Sequence, residues 1–482
     1  MRERYLDVFD RIWIDCLNGD KYKTGKLTPE GEPDPSIFST EHNREGIQVG
    51  TAIALLVRAE RHQPAADVRF RQLWGRTKPQ QLLDSAEQDG VSLYAGIKPP
   101  LDLGLPFQPI RATADYLAWP KLPDLFPASF PGVKTSRDEF VVDIDRERLE
   151  RRLEQYFDSR VGDDEVRSAS PVVMNNTARF DAAGTRRRLV ERGLLRENIL
   201  RYCYRPFDVR WLYWEPETKL LDEKRVDYFR QVFDGNSWLS AGQRNRKDIF
   251  YQPQFTTRLA DHHIVESNVG MFPLHVRTFT NQGHIEPNLS SAAARFLTAL
   301  KSPHTNLFHH TLAVLQSSAY RDDNLGALRQ DWPRVPLPAA REGLEESAAL
   351  GRQVAALLDT EAPVESVTAG TVRPELRGIG AASRVGGGAL KPREFRLTAG
   401  WGHAGKGGVT MPGKGKVVER NYTTEERAAI AAGAAALGLG EAEAFACLGE
   451  NTCDVYLNDT AYWGNVPARA WAYTIGGYQV MK

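Results

Sequence analysis

Between Arg179 and Arg246 the sequence carries 13 Arg and 2 Lys against 10 acidic residues, a surplus of five positive charges. The bias towards arginine has a chemical meaning. A planar guanidinium grips phosphates and guanine edges through two parallel hydrogen bonds, whereas an ammonium is a point charge. The same window holds the run Arg186, Arg187, Arg188 and the rings of Tyr202, Tyr204, Phe207, Trp211, Tyr213 and Trp214. Two readings stand side by side. Either the rings form a core with arginines stacked around it, or the window presents a basic face to nucleic acid.

Other patterns carry less. "GVTMPGKG" (Gly408 to Gly415) has the Gly and Lys spacing of a phosphate-binding loop, but Gly415 stands where Ser or Thr should hold Mg²⁺. No apolar strand feeds it, and "KVVER" after it reads as strand instead of helix. "LDLGLPF" (Leu101 to Phe107) starts like a nucleoside-cradling turn and then runs into Pro106 with no second Gly. His262 and His263 are adjacent, so on a strand their rings leave opposite faces, a poor geometry for one metal. Asp143 and Asp145 read as decoration of a helix N-terminus. Cys447 and Cys453 have neither a second Cys pair nor a nearby His, which argues against zinc.

The elements around these residues suggest several domains, since the chain has 482 residues. Acidic and basic residues balance at 62 each, so no global field steers the protein to nucleic acid or membrane, although a local basic face still can. Four scattered cysteines point to a reducing compartment, and the implied location is cytoplasmic. Residues 1–9 read as the end of a helix and Arg11 to Leu17 as a strand. A long Pro- and Gly-rich loop follows, of a length usually functional or mobile. "GIQVGTAIALLVRA" reads as a central strand covered on both faces. "VRFRQLWG" is a third strand. Residues 97–133 are a Pro- and aromatic-rich connection that docks by its rings. "VDIDRERLERRLEQYFDSR" is an amphipathic helix with Leu149, Leu153, Tyr156 and Phe157 on one face. Residues 198–272 are strand-rich, 286–301 and 338–359 helical, and 362–416 Gly-rich with short strand candidates. A capping box at Thr423 and Glu426 opens a final helical pair.

Taken in order, "FDRIWIDCLNG", "IFS", "GIQVGTAIALLVR" and "FRQLWGRTK" resemble the back half of the adenine-N6 methyltransferase domain of type ISP restriction–modification enzymes. "WPKLPDLFPASFPGVKTSRDEFVVDID", "ILRYCYRPFDVRWLYW", "MFPLHVR" and "YLNDTAYWGNVPARAWAYTIGGYQVMK" resemble the C-terminal specificity region of the same enzymes. The resemblance spans nearly the whole chain and is thinnest at 362–416. It implies a mixed α/β fold: trailing strands of a doubly wound, Rossmann-like methyltransferase sheet over 1–95, a connection at 96–135, and an α+β target-recognition region over 136–482.

The resemblance also implies what to expect of function. The opening strand corresponds to the fifth of that sheet. The S-adenosylmethionine loop and the catalytic Asn/Asp-Pro-Pro-Tyr/Phe belong to earlier strands. Here the only Pro-Pro, at Lys98 to Pro100, lacks both the acid or amide and the ring, and "GGYQVMK" stops where the family pattern continues. The chain is therefore read as a fragment or as one half of a split protein. It is expected to recognise duplex DNA, to bind no cofactor alone, and to depend on methyltransferase, motor and nuclease parts in the same polypeptide or a partner. Phe38 is the candidate for one wall of the flipped-adenine pocket, with loop packing as the equal alternative. Lys134, Thr135, Ser136 and Arg137, in a Gly-initiated polar loop just before a helix, are candidate DNA contacts. Arg205 and Arg210 are further candidates, on an alternation that a structural strand also explains. The rival reading is a non-catalytic assembly protein that binds a partner. A carboxylate hydrolase in the C-terminal third lacks any supporting spacing.

Overall fold

In the computed structural model, helix Arg2–Val8 leads directly into strand β1 (Arg11–Asn18), as the opening residues suggest. The structure describes residues 1–85, 90–244, 250–266, 269–278, 283–371, 373, 378–395, 402–404, 410–412, 415–475 and 478–481. These are mixed α/β, with several small sheets. The chain divides into two units. The first is Met1–Pro127, Ala241–Pro253 and Leu289–Gly351; the second is Ala128–Ser240, Gln254–Asn288 and Arg352–Lys482.

The first unit holds a sheet in which β1 lies between antiparallel β2 (Thr51–Val57) and parallel β3 (Val68–Gln72). Strand β4 (Ala95–Ile97) pairs antiparallel with the far side of β3. The central, doubly covered strand expected from "GIQVGTAIALLVRA" is instead β2, an outer strand of this sheet. Ala52, Ile53, Ala54, Leu55 and Val57 are all exposed on it. An unbroken apolar run records that both faces want cover; it does not record where the cover comes from. The long loop after β1 is tied down by two carboxylates. Asp34 accepts the amides of Gly19 and Gly75 and the Lys78 ammonium, while Asp20 accepts the amides of Tyr22, Lys23 and Gly50. Gly19 has φ +72°, and a Cβ there would stand 2.8 Å from the Ser36 Cα, so only glycine lets the loop close on itself.

The aromatic connection docks as expected. Trp119 stacks on Tyr320, and Phe126 meets Phe308 edge to face at 5.8 Å. The helix expected from 286 begins at Ser291, because Ile285–Pro287 is a strand and the Ser290 hydroxyl caps the Ala293 amide. Helix Arg341–Leu358 matches the second expectation. Helix His304–Gln316 escaped the sequence reading because it is buried around most of its circumference and shows little amphipathic stripe.

In the second unit, helix Arg146–Phe157 buries Leu149, Leu153, Tyr156 and Phe157 as its pattern predicts. Asp145 caps it, and Asp143 takes Arg148 at 2.7 Å and Arg152 at 2.9 Å. One four-stranded sheet runs Leu259–Ala260, Ile199–Arg205, Asp208–Tyr213, Val142–Asp143. A second runs Phe255–Thr256, Trp238–Gly242, Val269–Pro273, Phe130–Pro131. A C-terminal sheet joins Ala381–Arg384, Ala461–Pro467, Asn451–Tyr456 and Lys416–Asn421, all antiparallel. "KVVER" is thus strand. The capping box at Thr423 and Glu426 closes in both directions and opens helix Thr424–Ala436, which packs with Glu441–Leu448. Of the Gly408 to Gly415 segment only Thr410–Pro412 and Gly415 are described, and Thr410–Pro412 pairs with Gly402–Ala404; the remainder lies outside the described residues. Among the described residues no single helix is long and apolar enough to cross a membrane.

Candidate nucleic-acid interface

The loop "GVKTSRD" is laid down by a close approach. A Cβ at Gly132 would sit 2.4 Å from the Asp261 carbonyl oxygen, so glycine is what lets this stretch pass against 260–262. The Val133 amide then donates to the Ala260 carbonyl and the His262 amide to the Val133 carbonyl. On the other side Lys134 and Glu223 exchange both backbone hydrogen bonds. Ser136 turns the chain with a left-handed φ of +56°, uncommon for a residue with a Cβ and frequent where a loop serves a site.

The sequence-picked residues divide by environment. Thr135 is buried. Arg137 is 6% exposed; its guanidinium lies 3.5 Å from the Phe180 ring centroid and donates to the carbonyls of Lys219 and Leu220. Burial lowers its pKa, which is the cost of holding a charge there. Arg205 pairs with Asp261, Arg210 with Asp208, and both lie over the Tyr204 ring, at 4.1 and 4.3 Å. Arg201 and Arg146 flank Trp211 likewise. Of the triple arginine, Arg186 is turned inward onto the carbonyls of Tyr156, Asp158 and Val161, while Arg187 and Arg188 are exposed. Much of the basic window is thus a ring core clad in arginine. Lys134 and Ser136 remain at the surface. Phe38, in the first unit, is 55% exposed.

Ser136 opens onto a cavity of about 410 Å³ lined also by Arg137, Arg179, Phe180, Lys219 and Asp222, and Lys134 reaches it through Asp222. Asp222 is its centre. One carboxylate oxygen receives the Lys134 ammonium at 3.1 Å and the Ser136 hydroxyl at 3.3 Å; the other faces Arg179 at 3.4 Å. The Lys219 ammonium donates to the Asp222 backbone carbonyl at 3.0 Å. Burial alone would raise the Asp222 pKa, but Lys134, Arg179 and Ser136 outweigh it and hold the carboxyl below its usual range. Arg179 reaches the cavity from a tight turn in which Thr177 and Phe180 exchange both backbone hydrogen bonds. Lys134 and Arg179 meet the carboxylate, Arg137 and Lys219 line the cavity beside it, and such a set of cations can hold an anion.

A family model for the type ISP C-terminal specificity domain matches residues 124–482. The chain belongs to that family. Solved structures similar to it include a nuclease-deletion mutant of the type ISP restriction–modification enzyme LlaGI in complex with a DNA substrate mimic. There the TM-score is 0.56 at 17% identity, over 100% of this chain and 33% of that one. The ATP-dependent type ISP enzyme LlaBIII bound to DNA gives 0.58 at 14%, over 100% and 28%. A DrdV–DNA complex gives 0.57 at 17%, over 98% and 42%. At these identities the likeness is one of fold, and the chain spans less than half the length of each. No curated protein matches it in sequence.

Within the specificity domain, Arg179, Lys219 and Asp222 line the cavity beside the candidate loop, and the sequence reading did not single them out as a group. The usable signal was proximity to "GVKTSRD" through the ring of Phe180, which no spacing rule reveals. At the turn after β1 the Gly19 amide donates to the Asp34 carboxylate at 2.7 Å, and a Cβ at Gly19 would stand 2.8 Å from the Ser36 Cα.

Proposed function

We propose that this chain is the DNA-recognising part of a type ISP restriction–modification enzyme, and that it positions a site-specific adenine-N6 methyltransferase on duplex DNA. The observation that carries the reading is the specificity-family match over 124–482, which includes the loop bearing Lys134 and Ser136. The DNA complexes of enzymes with similar folds support it. In this reading Lys134, Ser136 and the exposed Arg187 and Arg188 meet phosphates and fix register, and base edges are read from the same surface. Thr135, Arg137, Arg205 and Arg210 act from beneath by holding that surface in shape.

The first unit is read as the trailing strands of the methyltransferase sheet, with Phe38 as one wall for the flipped adenine. Its exposed β2 supports this, since neighbouring strands and helices would cover it. S-adenosylmethionine and the catalytic Pro-Pro motif belong, in this reading, to a part outside this chain. That part lies in the same polypeptide or in a partner, together with motor and nuclease.

The test is duplex binding by the purified chain as salt is varied. If about five phosphates are neutralised, log affinity falls with log salt at a slope of roughly −4 to −5. Binding that ignores salt, or none at low ionic strength by a folded sample, would transfer the protein to the partner-binding alternative.

A further inference from the structure

We infer that the cavity around Asp222 is a seat for a phosphodiester of duplex DNA, and that Asp222 is its internal counter-ion, aligning Lys134 and Arg179 while weakening their hold on every duplex. The inference rests on the DNA-binding reading and goes beyond it by naming a seat and the residue that tunes it.

The geometry makes the argument. Lys134, Ser136 and Arg179 converge on one carboxylate from three separate stretches of chain, at 3.1, 3.3 and 3.4 Å. A phosphate oxygen asks for the same donors at the same spacing. The donors are not exhausted by Asp222. An ammonium has three N–H groups and a guanidinium five, and the Lys134 and Arg179 side chains are 41% and 61% exposed against 16% for Asp222. The cations therefore face solvent over a carboxylate set behind them. Lys219 adds a third cation, whose ammonium donates to the Asp222 backbone carbonyl.

The surrounding fold is arranged to keep this shape. Arg137 locks the 219–220 carbonyls against the loop, and the Thr177–Phe180 turn fixes where Arg179 starts. Asp222 has two opposed effects. It removes rotational freedom from Lys134 and Arg179 before any ligand arrives, and it places a negative charge a few ångströms from where a phosphate would sit. For a ligand that is itself an anion, the second effect opposes the first, and we infer that it dominates because Asp222, at 16% exposure, is the least solvated of the three groups. A recognition module gains from this, because a charge that repels all backbones equally leaves discrimination to the contacts with bases.

The experiment compares the unmutated chain with Asp222→Asn, Arg179→Ala and, as a control of equal net charge, Asp164→Asn, an exposed carboxylate that does not line the cavity (its side chain is 96% exposed). A labelled duplex of arbitrary sequence is titrated over a range of salt. Asp222→Asn is expected to bind roughly three- to tenfold tighter, with a slope steeper by about one unit. Arg179→Ala should bind about three- to tenfold more weakly, with a slope shallower by about one. Asp164→Asn should stay within about twofold of the unmutated chain, because added charge acts by place and not by sum. Thermal melting checks folding. If Asp222→Asn does not fold, Arg179→Ala, at an exposed position, decides alone. Unchanged or weaker binding by folded Asp222→Asn, no loss in Arg179→Ala, or an equal gain in Asp164→Asn overturns the inference while leaving the DNA reading intact. Inorganic phosphate at matched ionic strength is the second ligand, and saturation by phosphate with no duplex binding overturns both. So does the absence of duplex binding by every variant.

Discussion

The Lys78 ammonium lies 2.7 Å from the Asp34 carboxylate, and neither side chain reaches solvent. Lys78 also donates to the Leu17 carbonyl, and Asp34 to no one: it accepts from Lys78 and from the amides of Gly19 and Gly75. One carboxylate thus joins the end of β1, the long loop and the start of helix Lys78–Asp84, which comes after β3. Asp34→Asn is expected to leave the Lys78 charge buried without its partner and to cost about 3–5 kcal/mol of stability. Urea unfolding gives the cost, and limited proteolysis within 19–50 should speed up. An unchanged unfolding midpoint would show that the pair contributes little.

Asp143 offers a stability test with a sign. Burial pushes its carboxyl pKa up, yet Arg148, the Asp145 amide and Arg152 together hold it below the ordinary value. A carboxylate with a depressed folded-state pKa stabilises fully above its unfolded value of about 3.9, and this is lost as pH falls through the folded value. Asp143→Asn should therefore cost about 1–3 kcal/mol near neutral pH, a figure reduced for the half-exposed Arg148. The gap to the unmutated chain should close as the pH falls through the depressed folded value. A gap constant with pH would assign the loss to packing.

Arg137 separates a buttress from a DNA contact. Arg137→Ala removes the stack on Phe180 and strands the Lys219 and Leu220 carbonyls, an expected loss of about 2–4 kcal/mol. Arg137→Lys should recover only part of it, since an ammonium cannot stack and fork together. If either folded variant instead leaves melting unchanged and flattens the salt dependence of duplex binding, Arg137 touches phosphate.

For the cofactor, isothermal calorimetry of the purified chain with S-adenosylmethionine is expected to give no saturable heat in the micromolar range. Saturation there would mean that the first unit holds a complete cofactor site and has been assigned to the wrong part of its sheet.

The sequence disclosed what depends on local pattern. Helix Arg146–Phe157, the Asp145 cap, the Thr423–Glu426 box and the strand at "KVVER" each follow from neighbours a few residues apart. It misplaced what depends on partners: β2 reads as central from its own composition and is an outer strand in the sheet. The site divides in the same way. "GVKTSRD" was legible as a loop with polar reach, but burial sorts Lys134 and Ser136 from Thr135 and Arg137, and burial is set by Phe180 and Leu220, tens of residues away. The charge surplus of 179–246 was real, yet inward hydrogen bonds to carbonyls absorb part of it, as at Arg186.

Hydrogen exchange should grade the two units. Amides of Ile199–Arg205, paired on both sides, are expected to be protected more strongly than those of β2, which among the described residues pairs with β1 alone. Equal protection would mean that β2 is covered in solution.

Strand β2 also bears on how the isolated chain behaves in a tube. "TAIALLV" has seven residues, no charge and no proline, and Ile53 and Leu55 are 44% and 59% exposed. Such a segment templates cross-β addition of further molecules. Concentrated solutions of the purified chain are expected to become turbid with time and to bind amyloid dyes. A single gatekeeper charge, Leu55→Lys, should delay this without lowering the melting temperature, because the position has no packed core to lose. Shelf life, expression yield and the choice of fusion partner would then all be decided by seven residues outside the stretch that matches the specificity family.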